Sequence, residues 1–448
     1  MWTHTLKFSL RSLGRELVRN IWGRVFVYPA LANNERSREA LARYVAERAA
    51  KAGVKLDGDP FSLPRLASAL APDPPLLTKQ DVRQHPERLL RPRRFGSLIR
   101  TTIKTSGTSG TPLTIVQSLG NMVREEGFVY RQLRWIGWRT GQRRAWIRGD
   151  IVCADQPADG RYWCRDWVGN MLMMSSYHLS NDTIGAYVDA LEAFEPVVIH
   201  AYPSSIAALA AWLNARGRRY AGTALRGVMT SSETMEPAVR AAVEQAFGVR
   251  VFDWYGQSER VAAIGTCEHG SYHVLTDYSG VALLETEQPD AWELVGTSLN
   301  NLAMPLVHYR TGDTVARGDE GEEPACPCGR VFPTVKTVLG RQEKVITLPD
   351  GRMIGRLDRI FQGHDKHLVE GQVAYRGNGR FVLRVVVADG WSEADAAAMV
   401  DKFLLRVPGV DVTVEQVAAI PRGRNGKFSF VVVEEEGELC APREIHDV

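Results

Sequence analysis

The chain has 448 residues, 44% hydrophobic and 24% charged, the composition of a globular protein with a large core and a length suited to about three domains of average size. Its formal charge, 55 − 52 = +3, is too small to argue for nucleic acid as a partner, and six cysteines are too few for a disulfide scaffold. The most apolar run, "IAALAAWL" from Ile206, falls short of the ~18 residues a membrane span needs. The N-terminal "MWTHTLKFSLRSLGREL" has no signal-peptide apolar block, so a cytoplasmic location is the default expectation.

Leu6, Leu10, Leu13, Leu17 and Ile21 fall at helical spacing, with Arg11, Arg15 and Arg19 on the opposite face. This predicts an amphipathic helix over 6–24, packed on its domain by the leucine stripe; a membrane-surface or partner role is the other reading. A second helix is expected from about Glu35 to Ala52, stopped by Gly53. "SLIRTTIKT" and "PLTIVQS" read as short strands flanking a turn. A helix from about Leu119 to Trp135 follows, and then strands and helices alternate. "PVVIHAYPSS" runs into a helix at "SIAALAAWLNARG", "LRGVMTSSE" into one at "MEPAVRAAVEQAFG", and "VRVFDWYGQSE" follows directly. Apolar strand, turn, helix, apolar strand is the parallel α/β pattern, whose ligands sit beyond the carboxyl ends of the strands. "TSSE" and "DWYGQSE" both lie at such ends. After Arg341 the pattern changes to a β-β-α-β-β module: "HLVEGQVAYR", "RFVLRVVVADG", a helix over 392–406, "VDVTVEQV" and "GKFSFVVVEE".

The turn between the first two strands reads "TSGTSGTP", offering free backbone N–H groups and five hydroxyls, a composition suited to phosphate oxygens. It is neither a Walker A loop nor a GxGxxG turn. Four further segments follow in order: "WYGQSE" at Trp254–Glu259, "YRTGD" at Tyr309–Asp313, "GR" at Gly340–Arg341, and "PRGRNGKF" at Pro421–Phe428. Together these resemble the phosphate loop, the aromatic-Gly-x-Thr/Ser-Glu motif, the Asp motif, the hinge and the catalytic-lysine segment of the adenylate-forming superfamily. "HAYPSS", "TSSE", "CEHGSYH", "LNNLAMPLVHYRTGD" and "CPCGR" resemble its phenylacetate–CoA ligase branch, which includes relatives from capsule biosynthesis.

The resemblance implies an α/β fold: a large N-terminal domain of mixed sheets flanked by helices (1–339, binding ATP and acid) and a small mobile C-terminal α+β domain (340–448). It implies ATP- and Mg²⁺-dependent adenylation of a carboxylic acid with pyrophosphate release, then acyl transfer to CoA. Thr105, Ser106, Gly107, Thr108, Ser109, Gly110 and Thr111 would clamp the β- and γ-phosphates. Glu259 would hold Mg²⁺. Trp254, Tyr255, Gly256, Gln257 and Ser258, with Tyr255 against the adenine, would line the nucleotide pocket opposite Ser231, Ser232 and Glu233. Asp313 would accept hydrogen bonds from the ribose hydroxyls, Arg341 would touch ribose and phosphate, and Lys427 would bridge carboxylate and α-phosphate. With only ten lysines in the chain and none between Lys104 and Lys336, candidates for that last role are few. Two positions depart from the usual motifs: Leu113 follows Pro112 where a lysine is common, and Glu343 and Lys344 stand where an Asp pair is usual.

Tyr177, His178, Tyr202 and Pro203 fall where the family binds its acid. They suit an aryl or other hydrophobic acid, and as core aromatics they read equally well. Cys267, His273, Cys326 and Cys328 form a Cys₃His set of the kind that holds structural Zn²⁺. His269 competes for the nitrogen position, and His273 is preferred because Cys-x₅-His resembles the branch. Expected partners are a small-molecule carboxylic acid and an acceptor (CoA, or an amine or hydroxyl), with a homodimer also open and neither nucleic acid nor a transmembrane segment. A non-catalytic nucleotide-binding relative is the remaining alternative.

Overall fold

The computed structural model describes residues 2–66, 75–93, 97–104, 113–153, 157, 160–286, 288, 290–317, 326–340, 346–354, 357–361, 367–387, 390–420 and 430–434. The chain divides into two compact units, fewer than its length alone would suggest. The first unit's described residues end at Gly340 and the second's begin at Ile346.

The first unit is built on a nine-stranded sheet. Its centre is parallel: Arg250–Gly256, Gly227–Ser231, Val198–Ala201, Arg144–Arg148 and Met171–Ser175 lie side by side in that order. Of these, Met171–Ser175, Val198–Ala201 and Gly227–Ser231 are buried throughout, as strands covered on both faces must be. The helices Ile184–Phe194, Pro203–Ala215 and Pro237–Phe247 follow successive strands, and their apolar sides close one core through Tyr187, Leu209, Leu213 and Val243. Glu195 and Gly248, both in left-handed conformation, end two of these helices. Antiparallel strands Ala263–Thr266 and Tyr272–Val274 extend the sheet beyond Arg250–Gly256.

A second, five-stranded sheet carries Ser279–Glu285, Ala291–Ser298 and Tyr309–Ala316 at its centre. The sheets approach closely at Gly296, where a Cβ would meet the Val261 carbonyl oxygen at 2.1 Å; only glycine fits. Strands Arg100–Lys104 and Thr114–Ser118 pair antiparallel, as their sequences predict, with Lys104 opposite Thr114. The hydroxyl-rich turn between them, Thr105–Pro112, lies outside the described residues, as do Arg341 and Lys427.

The second unit is a four-stranded sheet. Leu368–Tyr375 and Arg380–Val387 form an antiparallel hairpin, with Asp411–Gln416 parallel to the latter and Val431–Val433 parallel to the former. The helix Glu393–Leu404, started by a capping box between Ser392 and Asp395, lays Met399 and Phe403 into its core. These elements match the module read from the sequence, the last strand being described only at Val431–Val433; a short pair, Ile346–Thr347 with Met353–Ile354, and a 3₁₀ turn at Leu357–Ile360 precede them and have no counterpart in that reading.

The N-terminal helix is longer and turned the other way from expectation. It runs from Trp2 to Arg15, continues through π-helical turns at Glu16–Asn20 and Gly23–Val27, and ends as an α-helix at Tyr28–Asn34. Phe8, Ser12 and Gly23 are buried, while the leucine stripe faces solvent. Among the described residues, no helix is long and apolar enough to cross a membrane.

Candidate functional site

The parallel strands end on one edge, and the residues predicted there arrive in successive turns. Tyr177 and His178 follow Met171–Ser175, Tyr202 and Pro203 follow Val198–Ala201, Ser232 and Glu233 follow Gly227–Ser231, and Gln257, Ser258 and Glu259 follow Arg250–Gly256. This is the edge at which an open α/β sheet binds ligands.

Two motifs far apart in sequence are tied together by tyrosines. The Tyr255 hydroxyl donates to Asp313 Oδ2 at 2.8 Å, and the Tyr309 hydroxyl donates to Glu259 Oε1 at 3.1 Å. Both carboxylates are buried, at 9% and 8% exposure. Asp313 lies in strand Tyr309–Ala316 beside an irregularity in its pairing with Ala291–Ser298, and Gly312 there takes φ +70°; its N–H donates to Glu293 Oε1 at 3.1 Å. Gln117, on the strand leaving the hydroxyl-rich turn, donates from Nε2 to the Ser258 carbonyl at 3.1 Å, fastening that hairpin to the Glu259 segment. Gln257 keeps both side-chain amide atoms enclosed without a partner among the described residues.

A polar cluster lines the neighbouring strand ends. Arg148 donates to Ser232 Oγ at 2.6 Å and lies 3.3 Å from His200 Nε2, which is 3.2 Å from Ser231 Oγ. Its guanidinium also stacks 5.0 Å from the centre of the Tyr202 ring. Burial, then Arg148, holds His200 well below the usual histidine range, so the imidazole is neutral and accepts from Arg148. Glu233 accepts from Ser204 N–H at 2.8 Å and Ser204 Oγ at 3.0 Å, in the first turn of helix Pro203–Ala215. Ser232 holds its half-buried turn at φ +75°. Sequence reading missed Arg148 and His200; the available signal was an arginine and a histidine in strands otherwise apolar at their carboxyl ends.

The four candidate acid-site residues are all buried on this edge. The Tyr177 hydroxyl donates to the Gly149 carbonyl at 3.1 Å, and His178 Nδ1 lies 2.7 Å from Ser175 Oγ while its ring stacks 4.7 Å from Tyr162. The Tyr202 hydroxyl is buried without a partner among the described residues.

Behind the edge, Cys267, His273, Cys326 and Cys328 come together, their ligand atoms all within 4.8 Å of one another. Cys267 Sγ lies 3.6 Å from Cys326 Sγ, and Cys328 Sγ 3.3 Å from His273 Nε2. A tetrahedral zinc with Zn–S near 2.3 Å would set its ligand atoms about 3.5–3.8 Å apart, so the set fits. The backbone N–H groups of His269 and Arg330 point at the Cys267 and Cys328 sulfurs, at 3.4 and 3.5 Å. Each comes two residues after its cysteine, an arrangement that stabilises thiolate. His269 contributes its backbone, not its ring. Burial lowers His273 to about 4, leaving a neutral imidazole able to ligate, and raises Cys267 to about 11, a proton a metal would displace.

The family model for AMP-binding enzymes matches residues 99–323, half of the chain. The chain belongs to the AMP-binding enzyme family. It is 23% identical over 295 residues to Protein CapK of Staphylococcus aureus, covering 66% of this chain and 61% of that one. It is 30% identical over 171 residues to phenylacetate-coenzyme A ligase of Thermus thermophilus, covering 35% and 37%. The matched parts thus span less than two thirds of both relatives. A solved 2-hydroxyisobutyryl-CoA ligase, in complex with 2-HIB-AMP and CoA, aligns at 16% identity over 91% of this chain and 90% of that one, with a TM-score of 0.48.

Proposed function

We propose that the protein is an ATP- and Mg²⁺-dependent ligase that adenylates a carboxylic acid, releases pyrophosphate and passes the acyl group to an acceptor, CoA in the first instance. The observation that carries this reading is the pair of hydrogen bonds joining Tyr255 to Asp313 and Tyr309 to Glu259, which hold two buried carboxylates at one strand edge.

Adenylation brings a carboxylate onto the α-phosphate of ATP, so two anions must approach, and catalysis is chiefly positioning and charge neutralisation. Asp313, oriented by Tyr255, has acceptor capacity for both ribose hydroxyls. Glu259, oriented by Tyr309, would hold Mg²⁺, which neutralises phosphate charge when bound. Ser231, Ser232 and Glu233 would form the opposite wall. The hydroxyl-rich turn Thr105–Thr111 would take the outer phosphates, and its hairpin is fixed by Gln117 to the Glu259 segment. Lys427, arriving on the second unit, would bridge carboxylate and α-phosphate, with Gly340–Arg341 as the hinge and Arg341 contacting the nucleotide. Gly340 has φ +62°, a backbone state that favours glycine. Tyr177, His178, Tyr202 and Pro203 would border an aryl or other hydrophobic acid. Structural zinc on Cys267, His273, Cys326 and Cys328 would brace the loops behind both nucleotide motifs. The named activity of the Thermus thermophilus relative favours CoA as acceptor.

Acid-dependent exchange of pyrophosphate into ATP, followed by acceptor-dependent AMP release with CoA, amines and alcohols offered in turn, tests the reading. Exchange with some acid is expected; no exchange with any acid across aryl, aliphatic and hydroxy classes would overturn it.

A further inference from the structure

Nine large apolar side chains on the N-terminal helix face solvent: Leu6, Leu10 and Leu13 on the α-helical part, and Leu17, Val18, Ile21, Trp22, Val25 and Phe26 along the stretch that carries the π-helical turns, each at least 43% exposed. In the π-helical part the exposed residues come in neighbouring pairs, Leu17/Val18, Ile21/Trp22 and Val25/Phe26. The wider i→i+5 winding keeps such pairs in line, so a narrow leucine seam broadens into a wide face. Trp167 and Val168, 65% and 42% exposed, lie against the same helix, where the Trp167 N–H donates to Ser9 Oγ at 3.1 Å.

The polar side of this helix is used up by the protein. Arg15 donates to Ser12 Oγ at 3.1 Å, Arg19 pairs with Glu126 at 3.0 Å, and Arg24 pairs with Glu16 at 3.0 Å. An amphipathic helix that turns its arginines inward and its leucines outward is not completing its own core, and a face this large exceeds the scattered apolar exposure normal for a surface.

Charge indicates what covers it. Glu16 is the only acid in the first 34 residues, and Arg24 holds it. The exposed charges on the helix are Lys7 and Arg11; Arg11 lies 3.7 Å from Asp150 yet stays 57% exposed, so its guanidinium still faces outward. A second copy packed helix to helix by two-fold symmetry would bring the same two cations and no free acid from its own helix, with only the partly exposed Asp150, already beside Arg11, nearby. The breadth of the face also differs from the two-in-seven seam of a helix pair. An anionic lipid surface takes both features: apolar side chains enter the acyl boundary, the indoles of Trp22 and Trp167 suit the interface, and Lys7 and Arg11 meet phosphate headgroups. We propose that residues 2–27, with Trp167 and Val168, are an interfacial membrane anchor that lays this protein on an anionic bilayer without crossing it.

Flotation of the full chain with phosphatidylcholine vesicles containing about one third phosphatidylglycerol tests this, with the oligomeric state followed in parallel by sedimentation. Expected are binding to the anionic vesicles at least ~10-fold tighter than to phosphatidylcholine alone, on the order of fivefold per cation, and weakening with salt. Leu10→Glu with Leu17→Glu should abolish binding without lowering the melting temperature, because both side chains are 59% exposed. Lys7→Glu with Arg11→Glu should remove the preference for anionic lipid. Failure to float with either vesicle, or equal binding to both, would overturn the proposal. So would a dimer that the leucine variants dissociate and that vesicles do not compete away; that result would assign the face to a second copy.

Discussion

Lys427→Ala should slow acid-dependent pyrophosphate exchange by at least ~100-fold, since one charge contact made mainly in the transition state is worth roughly 3 kcal/mol or more. An unchanged rate would remove this lysine from the chemistry. Tyr309→Phe deletes only the hydroxyl that holds Glu259. It should therefore raise the Mg²⁺ concentration needed for half-maximal exchange while leaving the fold intact by circular dichroism. His200 gives a pH signature. Its folded pKa lies below the ordinary 6.5 because burial disfavours the charged form. Its contribution to stability is therefore present above about 6.5 and is lost as pH falls toward the lowered value, where only the unfolded chain readily takes the proton. Denaturation midpoints at about pH 7 and pH 5 should differ less in His200→Gln than in the parent; an equal drop would place the acid sensitivity elsewhere. At this scale the sequence exposed residues that sit in motifs, such as Glu259 and Asp313. It concealed Arg148 and His200, because a polar residue inside an apolar strand carries no local sign of which neighbouring strand it meets.

Elements were the most legible scale. Period-two strands and a capping box at Ser392 mark the second unit, and Phe403, fully buried at 4.9 Å from the Phe381 ring, anchors its helix. Phe403→Ala should cost about 3–5 kcal/mol of that unit's stability in chemical denaturation, the range for truncating a buried aromatic. The cysteine-bearing loops make a separate claim. Elemental analysis should find about one zinc per chain, with Cys328→Ser lowering both metal content and melting temperature; full stability without metal would sink it. The N-terminal helix shows where pattern reading stops. A 3.6-residue period reveals that Leu6, Leu10, Leu13 and Leu17 share a face, but not whether the protein or its surroundings cover that face. What decides is the set of acceptors opposite the arginines, Ser12, Glu126 and Glu16, and of these Glu126, which pairs with Arg19, is brought there only by long-range packing.

Across the whole molecule, the proposed reaction needs the second unit to bring Lys427 to an acid and nucleotide bound by the first, so the Gly340–Arg341 junction should behave as a hinge. Arg341→Pro would fix φ at that point and should depress turnover more than ATP affinity. Equal losses in both would argue against motion there. The most direct test of the central claim is the half-reaction itself. Purified protein, ATP, Mg²⁺ and a panel of carboxylic acids should give exchange of labelled pyrophosphate into ATP that depends on one class of acid and disappears in Lys427→Ala and Asp313→Ala. Exchange that is absent for every acid, or that persists in both variants, would contradict the assignment of this protein as an adenylate-forming ligase.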